Sequence, residues 1–313
     1  QTEQQAPEPT KAPAGQVTQP TAAPAQPTAA PAQPTAAPAK VTYKEAPMLA
    51  ELVKAGKLPP VEQRLPKNPM VMVGYEGIGK HGGTWRRAFS GVSDRWGPTK
   101  LVDRAWAWFD KNLNLIPRLL ESWSVTPDAK VWTIKLREGT KWSDGVEHTT
   151  ADYEWWYKNE LLNKKITPGT VTIWADPDKT VCKLDIVDKY TAKFTYGKPK
   201  PMFIYNMVRG GQGGTSSAGP LTPSHFMKNE HQDTAPDKAA LEAKWKALGF
   251  ASWEKYYVDR AQWWYLNVAR PHMGGWVAKA EMKAETFVME RNPYFFAVDQ
   301  AGNQLPYIDK VTH

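Results

Sequence analysis

Few of the residues that could do chemistry in this chain stand at the spacings chemistry requires. The histidines, His81, His148, His225, His231, His272 and His313, form no HxxxH or HExxH pattern, so neither a structural zinc nor a catalytic metal is expected. Asp176 and Asp178 resemble a carboxylate pair, but glycosidase chemistry depends on separation in space. Two aspartates around Pro177 are more simply turn formers. Cys182 is the only cysteine, which excludes an intramolecular disulfide and a cysteine metal cage. Its place in the strand-like run Thr180–Val187 reads as a small buried hydrophobe. No G-x-S-x-G elbow is present, so nucleophilic catalysis is not expected.

Two segments suit binding better. Arg209 leads into GGQGGTSSAG, which contains Gly213 and Ser216, and backbone N–H groups in such loops can hold carboxylates or phosphates. The loop lacks the Lys-Ser/Thr of a P-loop and the strand-to-helix frame around it, so a nucleotide is not expected. The chain also carries 15 tryptophans, whose rings can stack on sugars, pack on peptide side chains or fill cores. Trp132, Trp142, Trp155 and Trp156 fall on strand or helix faces and are expected in the core. Trp96 differs, because it lies in a polar loop, Gly91–Pro98.

The elements that must position these residues are clearest from Leu119 to Leu162. Trp132, Ile134 and Leu136 alternate with Thr133, Lys135 and Arg137, the period of a half-buried strand. Ser143-Asp144-Gly145 supplies a turn, and Thr149 with Asp152 has capping-box spacing. Tyr153, Trp156, Tyr157 and Leu161 then recur at helical spacing. Elsewhere the patterns predict a helix over Ala46–Ala55, an alternating strand over Thr84–Ser90 and a helix over Lys100–Phe109. A meander is expected from Val171–Trp174, Val181–Val187 and Thr191–Tyr196, then helices over Leu241–Leu248 and Ser252–Leu266. A strand-turn-strand unit is expected from Phe287 onward. The fold class is α+β, with a mixed sheet.

Residues 1–40 have a different character. QPTAAPA repeats three times and the tract has no aromatic residue, so it cannot bury enough surface to offset chain entropy. Its proline spacing suits a semi-rigid tether. Residues 41–70 read as an extended arm, and 71–313 as the compact part. The net charge of +8 is scattered, without a dense basic stripe or nucleic-acid module, which argues against nucleic acid as a partner. No run of about 18 apolar residues could span a bilayer. The start has neither a basic n-region nor an apolar h-region, as in an exported chain after signal removal.

The segment containing Glu121-Ser122-Trp123, then Leu136-Arg137, Gly139, Lys141-Trp142-Ser143-Asp144-Gly145 and Thr150-Ala151-Asp152, resembles the signature of the family 5 extracellular solute-binding proteins. These are the oligopeptide- and dipeptide-type receptors of ABC importers. The run Glu290–Val311, ERNPYFFAVDQAGNQLPYIDKV, is similar to a segment of one branch of that family. Tyr153 departs from the pattern where a second acidic residue is usual. The resemblance implies a periplasmic-binding-protein-like lobe of type II, cluster C.

It further implies capture of an oligopeptide, or alternatively an oligosaccharide, between two lobes and delivery to permease subunits. The protein would work outside the cytoplasm as a monomer without a cofactor, with a lipid anchor ahead of the tether. "LPYIDKVTH" matches the point where the chain leaves the first lobe, so residues 71–313 are expected to form an N-terminal lobe, an incomplete clamshell with an apolar patch where a second lobe would lie. In such clamshells the loop after the first core strand faces the cleft, which makes Ser90, Ser93, Asp94, Arg95 and Trp96 expected cleft residues. Arg209, Gly213 and Ser216 are expected on a lip of the same cleft.

Overall fold

Alternating apolar residues build the central sheet where the sequence predicts it. The computed structural model describes residues 42–94, 96–101, 105–210, 220–283 and 285–313; for 94, 96, 209 and 210 only the backbone is described. The chain enters through α1 (Pro47–Lys54) and α2 (Val61–Arg64), then β1 (Met70–Met72) and β2 (Thr84–Arg86). After α3 (Trp96–Lys100), β3 (Ala107–Phe109) and β4 (Leu115–Pro117) form a hairpin. Next come β5 (Leu120–Val125), β6 (Val131–Leu136) and α4 (Thr150–Trp156), followed by β7 (Lys183–Asp188) and β8 (Thr191–Thr195). The helices α5 (Phe203–Gly210), α6 (Ser224–Met227), α7 (Lys238–Ala247) and α8 (Trp253–Tyr256) lead to β9 (Trp276–Ala278), β10 (Val288–Arg291), β11 (Ala297–Asp299) and β12 (Lys310–Thr312).

Strands β5-β6-β8-β7 make one antiparallel sheet, and β2-β12-β10-β9 a mixed one. Two parallel pairings tie the beginning of the unit to its end: β1 lies on β11 and β2 on β12. Thr42–His313 cluster as one unit. The arm joins it through Arg64, whose buried guanidinium donates to the Pro59 carbonyl at 3.0 Å and to Gln304 Oε1 at 2.8 Å, and pairs with Glu45.

Trp132, Ile134 and Leu136 turn inward from β6, as their period requires. They join an aromatic core in which Trp156 meets Trp174 at 4.8 Å and Trp174 meets Phe194 at 5.1 Å. Thr149 caps α4 in a capping box with Asp152, and π-helical turns extend both α4 (Tyr157–Leu161) and α8 (Tyr257–Ala261). The two π-helical segments are joined where Tyr257 donates to Glu160 Oε1 at 2.5 Å. Cys182 is buried, and burial pushes its thiol up to about 12.

Three expectations fail locally. Residues 107–109, expected to be helical, are strand β3, because pairing with β4 and the Asp110 side chain, which accepts from Asn112 and Asn114 N–H, favour a hairpin. Thr172–Trp174 is a 3-10 turn rather than a strand, and it drives the Trp174 ring into the core. The strand predicted over Thr84–Ser90 covers only Thr84–Arg86, and all three residues are exposed rather than half-buried. Here β2 lies at the edge of its sheet with one neighbour, β12.

Candidate functional site

The face beside β2 is assembled from segments far apart in sequence. Leaving β1, the chain turns at Gly74–Gly77, where Gly77 N–H donates to Gly74 O at 3.4 Å. A Cβ on Gly74 would meet the Gly77 carbonyl oxygen at 2.7 Å, so the turn requires glycine there. The segment then lies on the loop between β11 and β12: Gly82 N–H donates to Tyr307 O at 2.9 Å, and His81 Nε2 sits 2.9 Å from Gln304 O. Gly79 lies against the Tyr307 ring so closely that a Cβ would come within 2.5 Å of it.

Following β2, Arg87 organises the loop that precedes α3. Its N–H donates to Thr312 O at 2.8 Å, its Nη1 to Gly97 O at 3.2 Å, and its guanidinium lies 5.1 Å from the Trp85 ring centre. Burial and the Arg87 cation push the nearby His313 imidazole down to about 4, so it is neutral at pH 7.

A cavity of about 380 Å³ opens on this face. Met72, Val73 and Gly74 form one wall, Leu101 another, and Gly275, Trp276 and Phe295 with the loop Leu305–Ile308 the rest. Val73, in the lining, is 69% exposed; Tyr75, just beyond it in sequence, and Trp85 in β2 are 92% and 42% exposed. Polar handles at the cavity are tied back into the protein. Trp276 Nε1 donates to Ile308 O at 2.9 Å, and Tyr307 OH to Asp299 Oδ2 at 2.6 Å. Burial works to raise Asp299, but hydrogen bonds from Tyr307 and Asn303 outweigh it and hold the carboxyl below its ordinary range as an acceptor. Burial and that same bond raise the Tyr307 phenol.

The expected binding residues divide between two neighbourhoods. Ser90 and Ser93 are exposed, Ser93 in a 3-10 turn, Val92–Asp94, that also holds Asp94. Trp96 begins α3 rather than lying in a loop; Arg95 lies outside the described residues. Leu101, just beyond α3, lines the cavity, so this loop and the cavity share a boundary. Arg209 lies near the end of α5, which packs on β3 with Tyr205 and Phe109 at 6.4 Å. Gly213 and Ser216 lie outside the described residues. Sequence reasoning missed Arg87, Val73, Leu101, Trp276 and Tyr307. The glycines at 74, 77 and 79 were the one local signal that backbone passes closely here.

Residues 114–313 match the bacterial extracellular solute-binding proteins, family 5 Middle, and the chain belongs to this family. It is similar to the periplasmic alpha-galactoside-binding protein of Rhizobium meliloti (strain 1021), at 30% identity over 86% of this chain and 38% of that protein. A solved oligopeptide-binding protein OppA superposes with a TM-score of 0.78 and 38% identity, covering 87% of this chain and 41% of the other. The periplasmic binding protein MelB of Agrobacterium fabrum C58, solved in complex with stachyose, shares the fold with a TM-score of 0.66 and 24% identity, over 87% of this chain and 40% of its own. The chain thus spans about two-fifths of the length of these relatives. Those relatives are binding proteins, periplasmic where their names say so, and no helix among the described residues is long and apolar enough to cross a membrane.

Proposed function

We propose that the unit Thr42–His313 forms one wall of the ligand site in an extracytoplasmic receptor that captures oligopeptides for an ABC importer. The open cavity, with its largely apolar lining from Met72, Leu101, Trp276, Phe295 and Tyr307, carries this reading. The resemblance to an oligopeptide-binding protein over most of this chain supports it. The facing wall corresponds to the part of the relatives that this chain does not span. Ligand contacts available only when both walls meet would favour the closed form, which docks on the permease. We assign Ser90, Ser93, Asp94, Arg95 and Trp96 to the ligand cleft, and Arg209, Gly213 and Ser216 to a lip of the same cleft. Residues 1–40 act as a tether, behind a lipid anchor, and the receptor works as a monomer without catalysis.

An oligosaccharide ligand is the second reading, favoured by the resemblance to an alpha-galactoside-binding protein over 86% of this chain. Native mass spectrometry of the protein purified from its source, followed by calorimetry with short peptides and with α-galactosides, tests both. Co-purifying peptide and heats of peptide binding are expected. Binding of α-galactosides alone would replace the first reading with the second, and turnover of either ligand would overturn both.

A further inference from the structure

The buried His231 ring is held at both nitrogens by backbone groups that can each play only one role. Asp233 N–H donates to Nδ1 at 3.3 Å, so Nδ1 carries the lone pair. Nε2 lies 3.1 Å from the Asn159 carbonyl oxygen, which only accepts, so Nε2 carries the proton and donates. The ring is therefore neutral and fixed in one tautomer. Asn163 Nδ2 also stands 3.3 Å from Nε2, but Asn163 Oδ1 accepts from Lys165 N–H. That amide thus turns a donor toward a donor and adds no bond there.

The same ring sits where α4, α8 and the turn between α6 and α7 meet. Trp155 of α4, Trp253 of α8 and Tyr257 of its π-helical turn surround it edge-to-face, with ring centres at 5.8, 4.7 and 5.2 Å. Its backbone carbonyl accepts from Thr234 and Ala235 N–H, and Ala235 packs with Met227, Leu241 and Trp245. Burial disfavours the imidazolium most, Asp233 and the Asn159 carbonyl favour it, and Lys165 opposes it. Tyr257, the titratable group among the three surrounding rings, has its hydroxyl bound to Glu160. The net direction is downward from the ordinary histidine range, so the contribution of His231 is complete above about pH 6.5 and lost as pH falls.

We propose that His231 is an acid-sensitive latch: a proton arriving from solvent at Nδ1 sets two N–H groups against each other and releases the α6–α7 turn from α4. The new Nδ1–H displaces Asp233 N–H, and the exposed Asp233 carboxylate of the same turn can accept it instead. Nε2–H keeps the Asn159 carbonyl, so the loss falls on the turn rather than on α4. The opening is local, and it holds whichever ligand the protein takes.

The test uses the full chain. Long-range 1H–15N spectra at about pH 7.5 read the tautomer, with a protonated Nε2 and a bare Nδ1 expected at His231; the reverse would overturn the latch. Hydrogen exchange read by mass spectrometry at about pH 7.5 and about pH 5, corrected for the intrinsic rate, then follows the release. Peptides covering 224–247 should lose about tenfold in protection on acidification and exchange faster than those covering β6. In His231→Asn, whose amide oxygen still accepts from Asp233 N–H but takes no proton, that loss should disappear. If this variant does not fold, the titration of His231 in the wild-type spectra serves instead, and exchange of 224–247 should follow it across the pH range. Unchanged exchange at about pH 5, release of 224–247 and β6 together, a full acid response in His231→Asn, or exchange that departs from the His231 titration would each overturn the latch.

Discussion

The sheet β5-β6-β8-β7 with α4, and the face built from β1, β2, β9 and the Leu305–Ile308 loop, treat their aromatic residues in opposite ways. The first buries Trp132, Trp142 and Trp156; the second leaves Tyr75 and Trp85 exposed. The first is nearly contiguous in sequence, whereas the second joins β1 to β11 and β2 to β12 across almost the whole unit. The segment richest in motifs is therefore scaffold, and the face proposed to meet ligand is the one that local pattern describes least.

The largest expected effect breaks this comparison directly if it fails. Trp156→Ala removes a fully buried ring from contact with Trp174 and should destabilise the protein by about 3–5 kcal/mol in denaturant unfolding. Trp85→Ala, on the exposed strand β2, should cost less than about 1 kcal/mol. Equal losses would mean that the open face belongs to the core after all.

Next in size is Arg64→Met, which probes the junction between the arm and the open face. The guanidinium pairs with Glu45 and also serves Pro59 O and Gln304, so its removal leaves Glu45 and buried acceptors without their partner. A loss of about 2–4 kcal/mol and faster proteolysis of residues 42–69 are expected. A change below about 1 kcal/mol would show that the arm contributes little to holding the segment 293–304 that contains β11.

How much of this was legible in the sequence follows from where each element gets its energy. Val131–Leu136, the Ser143–Gly145 turn and the Thr149 cap are specified by near neighbours, so pattern and spacing describe them correctly. Residues 107–109 were misread as helix because the deciding interaction is the β4 strand, with which they pair as a hairpin. Trp85 looked half-buried by alternation, yet β2 has a single strand neighbour, so the pattern had no second layer to face. The cavity was invisible for a related reason. Met72, Leu101, Trp276 and Tyr307 share no spacing, and long-range strand pairings, β1 on β11 and β2-β12-β10-β9, bring their segments together.

Acid should loosen both regions progressively rather than abruptly. Burial lowers the imidazoles of His148, in the first region, and of His231; burial and Arg87 lower that of His313, beside the second. An imidazole with a depressed folded pKa is protonated more readily in the unfolded chain. Its contribution is therefore complete above the ordinary histidine range and is lost as pH falls below about 6.5, down to about 4 for His313. Glu160 acts in the opposite sense, because burial raises its carboxyl and makes the folded state hold its proton more tightly. Melting temperature measured between pH 7 and about 4.5 should fall, and Glu160→Gln should steepen that fall. A flat profile in both proteins would refute the burial of these histidines.

The smallest expected effect tests how local the scaffold's stability is. Thr149 Oγ1 accepts from Ala151 N–H at 3.3 Å, while Asp152 Oδ2 accepts from Thr149 N–H at 3.3 Å and from Trp142 Nε1 at 3.0 Å. Asp152 Oδ1 also accepts from Ser224 N–H at 2.9 Å, so the acidic half of the capping box reaches across to α6. Thr149→Ala removes only the local half and should cost about 1 kcal/mol, with Thr149→Ser restoring most of it. Asp152→Ala should cost more, because it also strands the buried indole N–H of Trp142. If the two losses were equal, the contacts from Asp152 to Trp142 and α6 would contribute nothing, and the scaffold would be held by sequence-local interactions alone.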